Sequence, residues 1–239
     1  MNQETKKCRC IHLGILGFAI VAGLAILGLF IGKGLKAIAF QDQYVTVKGL
    51  AEREVMANKV VWPLPYKCVS NDMQQLYDEI EMNKEIIIAF LKEGGISDDE
   101  IIISAPAVTD RLAQSYIPDN VKFRYQAEAV ITVISPQVEK VIELMGKQID
   151  LMKDGVIISN EYNYQTQFEY TALNEIKPEM VEEATRNARA VAQKFAEDSD
   201  CKLGNIKQAT QGQFSITSDE TTPQIKNIRV VTTVKYELK

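Results

Sequence analysis

The side chains best suited to chemistry are few in this chain, and their placement limits what they could do. Its one histidine, His12, sits at the mouth of a long apolar run, so the polypeptide beyond that run carries no imidazole. A Ser-His-Asp or Cys-His nucleophile needs that base, and a histidine-bearing zinc site needs that ligand. Cys68 and Cys201 stand apart with no CxxC spacing, which removes the dithiol redox pair. Phosphate cradles of the GxGxxG and Walker A types are missing, and Gly32-Lys33-Gly34 lacks the preceding strand and spacing that a phosphate loop requires. Carboxylates remain: Glu79 with Glu81, Asp98-Asp99-Glu100, and Glu182-Glu183. Paired-carboxylate catalysis needs one acid with a pKa raised by burial. These pairs fall on predicted helix surfaces or turns, where solvation explains them. The expectation is a non-enzymatic protein with no catalytic residue, cofactor or metal, and a carboxylate-dependent hydrolase as an alternative.

Two further features point to partners. Trp62, the only tryptophan, lies with Leu64 in the apolar, proline-rich stretch VVWPLPY. It reads either as core or, with Leu64, as a hydrophobic anchor in a contact between subunits. Gly28 and Gly32 form one GxxxG, a spacing that lets two membrane helices approach closely. Cys68 and Cys201 could close one disulfide in an oxidising compartment, although sequence alone cannot supply the Cα separation this requires.

The segment that places the chain is Ile11–Ile31, twenty-one residues without a charge. About 20 apolar residues of helix span the hydrocarbon core of a bilayer. Lys6, Lys7 and Arg9 precede the run, the basic flank that stays in the cytoplasm. The organisation expected is a short cytoplasmic N-terminus over 1–10, a single-pass signal anchor over 11–32 held by membrane lipid, a linker over 33–42, and a periplasmic body over 43–239 at the cytoplasmic (inner) membrane. The alternative is a secreted or periplasmic protein cleaved near Ala39, since Ala37-Ile38-Ala39 has the small-x-small form. Residues 1–40 carry a net +4 and the remainder −9. An acidic body lacks the basic face that nucleic acid requires, so no nucleic-acid partner is expected.

Strand alternation is read over Tyr44–Gly49, in an extended stretch from Glu54 to Ser70, and most clearly over Lys122–Ile134. Pro63 and Pro65 place the second of these at a sheet edge or kink it. Three helices follow from apolar spacing: one from Asn71-Asp72 to Gly94-Gly95, one opened by Ser135-Pro136, and one opened by Pro178 with Val181, Ala184, Ala188, Val191, Ala192 and Phe195 inward. Closing strands are read near 204–217 and 227–238. The predicted fold is α+β: a mainly antiparallel sheet of long hairpins packed with three helices, preceded by one transmembrane helix.

The stretch VTVKGLAEREVMANKVVWPL resembles the opening of the SIMPL domain, in which a V-x-V-x-G strand precedes a charged hairpin and a second strand. EEATRNARAVAQKFAEDSDCKLGNIKQATQ is similar to its alanine- and arginine-rich helix, which runs into a small-Leu-Gly-x-Ile turn. Here these positions are Ala184, Arg186, Ala188, Arg189, Ala190, Ala192, Leu203, Gly204 and Ile206. Asp200-Cys201 departs from that pattern, where a glycine and a small residue are expected. The resemblance covers residues 43–239. It implies an α+β fold, a location in the cell envelope, and ring- or channel-like oligomers in some members, with no catalytic residues. A homo-oligomer is therefore expected, and a monomeric ligand- or protein-binding module is the alternative.

Overall fold

The computed structural model describes residues 21, 23–34, 43–114 and 121–239. Residues 23–34 are helical. Most of the anchor read over 11–32 lies outside the described residues, as do the N-terminus 1–10, linker residues 35–42 and the cleavage alternative at Ala39. Among the described residues, no helix is long and apolar enough to cross a membrane.

From residue 43 the elements run β1 (Tyr44–Met56), β2 (Lys59–Ser70), α1 (Met73–Glu93), β3 (Ile101–Ile103), β4 (Ala107–Asp110), β5 (Tyr125–Ser135), α2 (Val138–Lys147), β6 (Gln167–Glu169), α3 (Leu173–Asp198), β7 (Leu203–Gln211), β8 (Ser215–Thr217) and β9 (Ile225–Leu238). They form an α+β fold with two antiparallel sheets, one ordered β1-β9-β7 with β8 on β9, the other β3-β5-β2-β6 with β4 on β5. The chain divides into a smaller unit, Met1–Leu50, Glu183–Gly212 and Val231–Lys239, and a larger one, Ala51–Glu182 and Gln213–Val230.

The larger unit is built on the β2–β5 ladder, which pairs continuously from Val60 opposite Ser135 to Ser70 opposite Tyr125. Alternate residues of both strands face one side: Trp62, Leu64, Tyr66 and Cys68 from β2, and Ala127, Ala129, Ile131 and Val133 from β5. Helix α1 closes that side with Leu76, Ile80, Ile87 and Leu91, and α2 adds Val138, Val141 and Leu144. Asp72 caps α1, its carboxylate accepting from the N–H groups of Gln74 at 2.9 Å and Gln75 at 3.0 Å.

The sequence reading of a long β1–β2 hairpin is corrected here, because the two strands belong to different sheets. A two-residue hairpin needs positive φ in its loop, and neither Ala57 nor Asn58 adopts it. Instead Ala57 N–H donates to Gln224 C=O, and Asn58 N–H to Glu169 C=O. The edge expected at Pro63 and Pro65 is also refined. β2 lies between β5 and β6, but β6 pairs only with Lys59–Val61. Ser159 N–H donates to Pro65 C=O at 2.7 Å, so the backbone polar groups at Pro65, and at Pro63 two residues earlier, point away from β5. The prolines thus remove no donor from the central ladder.

In the smaller unit, a cluster of Val47, Ala188, Ala192, Val234 and Tyr236 packs α3 onto β1 and β9. A Cβ on Gly49 would run into the Ala184 carbonyl and the Ala188 nitrogen, so strand and helix backbones touch here. That approach leaves room only for methyl groups under the helix. The buried row of α3 in this unit is accordingly Ala184, Ala188, Ala192 and Ala196, while Val191 and Phe195, expected inward, are exposed. Pro178 lies inside α3 rather than opening it.

Three turns close with the same hydrogen-bond pair. After α1, Gly95 N–H reaches Lys92 C=O and Ile96 N–H reaches Leu91 C=O. After the 3-10 turn Gln148–Met152, Gly155 and Val156 repeat it with Met152 and Leu151, and after α3, Asp200 and Cys201 repeat it with Glu197 and Ala196. The motif requires a left-handed residue at its centre. Glycine fills it at Gly95 (φ 81°) and Gly155 (φ 86°), and Asp200 fills it at φ 53°. The departure noted in the sequence therefore keeps the turn geometry and carries its strain on an aspartate.

Two outcomes follow. Gly49→Ala is expected to lower stability by about 3 kcal/mol, since backbone must move to admit the methyl. Asp200→Gly is expected to raise it by roughly 0.5–1 kcal/mol by relieving a left-handed aspartate. Denaturant midpoints at constant m-value check both; a neutral Gly49→Ala would contradict the close approach.

Candidate functional site

The residues singled out for partner contact divide sharply. Trp62 is 2% exposed and Leu64 fully buried, both inside the core of the larger unit. Trp62 stands opposite Val133 and Leu64 opposite Ile131 in the ladder, facing α1 and α2. Of the two readings given to Trp62, the structure supports the core; these side chains are not available on the surface of the unit. Gly28 and Gly32 lie on the helical residues 23–34, where an added Cβ would meet nothing within 4 Å. Cys68 is buried and Cys201 half-buried, both as free thiols, so the disulfide considered for them is not formed.

The chemically distinctive groups are found in the larger unit. Asn83 donates to the Cys68 sulfur at 3.3 Å, and the Tyr66 hydroxyl donates to Ile80 C=O at 3.3 Å. Burial pushes the Cys68 thiol up to about 11, helped by the charge of Glu79 and opposed by the Asn83 hydrogen bond. Burial likewise pushes Tyr66 up to about 12. Both groups stay neutral near pH 7, which suits packing under α1 and makes Cys68 a poor nucleophile.

Glu100 was read as part of a solvated acidic turn, and the structure buries it. The Ser135 hydroxyl donates to its Oε1 at 2.5 Å, and the N–H and hydroxyl of Ser97 donate to Oε2 at 2.9 and 2.6 Å. Burial alone would raise its pKa, but the hydrogen bonds from Ser135, Ser97 and Gln137 outweigh it and hold the carboxyl at about 2. The Ser-x-x-Glu spacing of Ser97 and Glu100 is a capping-box signal that could have identified this carboxylate from the sequence. Among the described residues Glu100 is the buried acid, and its ionised, hydrogen-bonded state ties the turn before β3 to the end of β5.

A carboxylate pair in a cleft would be arranged differently. Glu93, Asp150 and Asp154 line an open cleft of about 600 Å³ with Ile86, Phe90 and Leu144, and all three acids reach solvent. Among the described residues, no group of three or more His, Cys, Asp or Glu side chains could hold a metal ion. A second, smaller groove of about 260 Å³ is apolar, lined by Met145, Ile149, Met152, Ile157 and Ile158.

The margins of the sheets also carry exposed apolar side chains. Tyr44 and Leu50 on β1, Ile102 and Ile103 on β3, Val108 on β4, Ile206 on β7 and Ile216 on β8 all reach solvent. The sequence reading placed a sheet edge at Pro63 and Pro65 and at none of these strands.

The fold is thus α+β with two antiparallel sheets, and exposed apolar side chains lie at several strand margins. Residues 45–236 match SIMPL, described as a protein of unknown function (DUF541), and the chain belongs to that family. No curated protein matches it.

The Glu100 arrangement has a pH signature. Its folded pKa lies below the ordinary 4.5, so its contribution is complete above that value and is lost as pH falls toward about 2. Glu100→Gln is expected to cost roughly 2–3 kcal/mol at pH 7, with the gap to the parent closing near pH 2. Urea midpoints at the two pH values check this, and an equal gap at both would contradict it.

Proposed function

We propose that this SIMPL-family chain is a non-enzymatic, membrane-anchored protein of the cell envelope whose body self-assembles through strand margins. The charge-free run Ile11–Ile31, with basic residues before it, supports a single-pass anchor at the cytoplasmic membrane with an acidic body in the periplasm. The observation that carries assembly is the apolar exposure at sheet margins, Tyr44 and Leu50 on β1 among it, since a sheet margin with apolar side chains is a ready template for another strand. Trp62 and Leu64 are left out of this interface because they lie in the core.

A second reading, a monomeric binding module, is favoured by the groove of Met145, Ile149, Met152, Ile157 and Ile158, which could take an apolar group of a partner protein. The two readings separate on mass. Multi-angle light scattering on the full chain in detergent micelles, with the detergent mass subtracted, is expected to give at least two copies per particle over a range of concentrations. One copy per particle throughout would overturn assembly and leave the binding module.

A further inference from the structure

Most sheet margins of this molecule carry a device that blocks another strand. β3 and β4 form one edge along β5, yet between Ile103 opposite Ile131 and Ala107 opposite Glu128 the edge holds one residue more than its partner. This bulge includes Pro106. β6 and β8 are three residues each. Where β6 ends, the outer side of β2 presents Pro63 and Pro65. β7 shifts register twice, between Leu203 and Ile206 and between Ile206 and Gln208. Bulges, prolines and short strands are the ordinary protections of an edge.

β1 has none of these. It runs thirteen residues with unbroken alternation of exposed and covered side chains and without proline. Among the described residues, β9 is its one strand neighbour. Gln43 C=O accepts from Leu238 N–H, which sets the odd-numbered backbone groups toward β9. Leu50 C=O accepts from Asn187 Nδ2 at 2.8 Å, which confirms that the even-numbered groups point away from it. Tyr44, Thr46 and Lys48 therefore present outward backbone donors and acceptors within the smaller unit, and Leu50 presents its N–H there while one acceptor site of its C=O holds Asn187. The α3 ridge that Asn187 begins continues at helical spacing through Val191 and Phe195, which are 41% and 52% exposed. An open strand edge and an apolar helix flank thus lie side by side.

We infer that the outer edge of β1 pairs antiparallel with β1 of a second copy of this chain, making a two-fold dimer. This rests on the self-assembly reading above and names its surface. Even-numbered residues must face even-numbered residues for the ladder to form. Centring the pair on Lys48 would set two lysines opposite each other, which is unfavourable. Centring it on Val47 sets Tyr44 opposite Leu50 and Thr46 opposite Lys48. Tyr44 and Leu50 are 47% and 39% exposed, so this register covers an aromatic–aliphatic pair twice. It also brings the Val191 and Phe195 flanks of the two α3 helices toward each other across the axis. The other margins being blocked, pairing through β1 closes at two copies.

The test is oxidative cross-linking of the full chain in membranes with Tyr44→Cys and Leu50→Cys combined. Within one chain the two positions are about 20 Å apart along the strand, so a disulfide between them joins two copies. Hydrogen-bonded antiparallel partners lie about 5.5 Å apart at Cα, within disulfide range. The double variant is expected to give a covalent dimer at several-fold the yield of either single variant. Adding Thr46→Pro, which removes an outward N–H on an edge that tolerates proline, is expected to reduce that yield several-fold. Yields equal to the single variants, while light scattering still reports more than one copy, would overturn β1 pairing and leave assembly by another surface. One copy by light scattering would overturn assembly itself.

Discussion

The β2–β5 ladder is the constraint on which the larger unit depends. Eleven consecutive residue pairs join two strands far apart in sequence, and four alternate pairs, from Trp62–Val133 to Cys68–Ala127, each deliver two apolar side chains to the same face. Helices α1 and α2 have a flat surface to cover because that register does not slip. A one-residue slip of β2 would turn Trp62 and Leu64 to the outer face and bring Pro63 and Pro65 inward. The prolines fit the arrangement because their missing donors lie on the side that the ladder does not use.

Around that ladder the polar groups are arranged to be satisfied rather than reactive. Glu100 is buried but stays ionised, since Ser97 and Ser135 give it more hydrogen bonds than its burial removes from water. It holds the turn after α1 against the end of β5, just before α2 begins. Cys68 and Tyr66 take the opposite course and stay neutral under α1. A buried acid held near pKa 2 is a poor proton donor at neutral pH, so the most distinctive carboxylate in the described residues is suited to joining elements.

In the smaller unit the corresponding constraint is backbone contact. Gly49 lets α3 rest directly on β1, and the alanine row Ala184, Ala188, Ala192 and Ala196 follows from that closeness. The same closeness pushes Val191 and Phe195 to the flank, where they are exposed beside the strand's free edge. A packing requirement inside the unit thereby creates the surface proposed for a second copy.

Much of this was legible in the sequence. The alternation in Lys122–Ile134, the Asp72 cap, the Gly94-Gly95 stop and the V-x-V-x-G strand each encode a local conformation through side-chain period or backbone freedom, and each was found where it was read. The family was legible for the same reason, because its pattern is an ensemble of such local signals. Three things were decided by tertiary structure. Strand pairing was one: β1 and β2 are adjacent in sequence yet hydrogen-bond into different sheets, and period-2 alternation is the same whichever partner a strand has. The role of Trp62 and Leu64 was another, since an apolar strand residue looks alike in a core and at an interface until the helices that cover it are placed. The orientation of α3 was the third, because whether Val191 and Phe195 or the alanines face inward depends on how closely the backbones approach. Sequence determined the local periods and caps; only the packed chain decided which face each period presents, because burial is a property of neighbours brought together from distant parts of the chain.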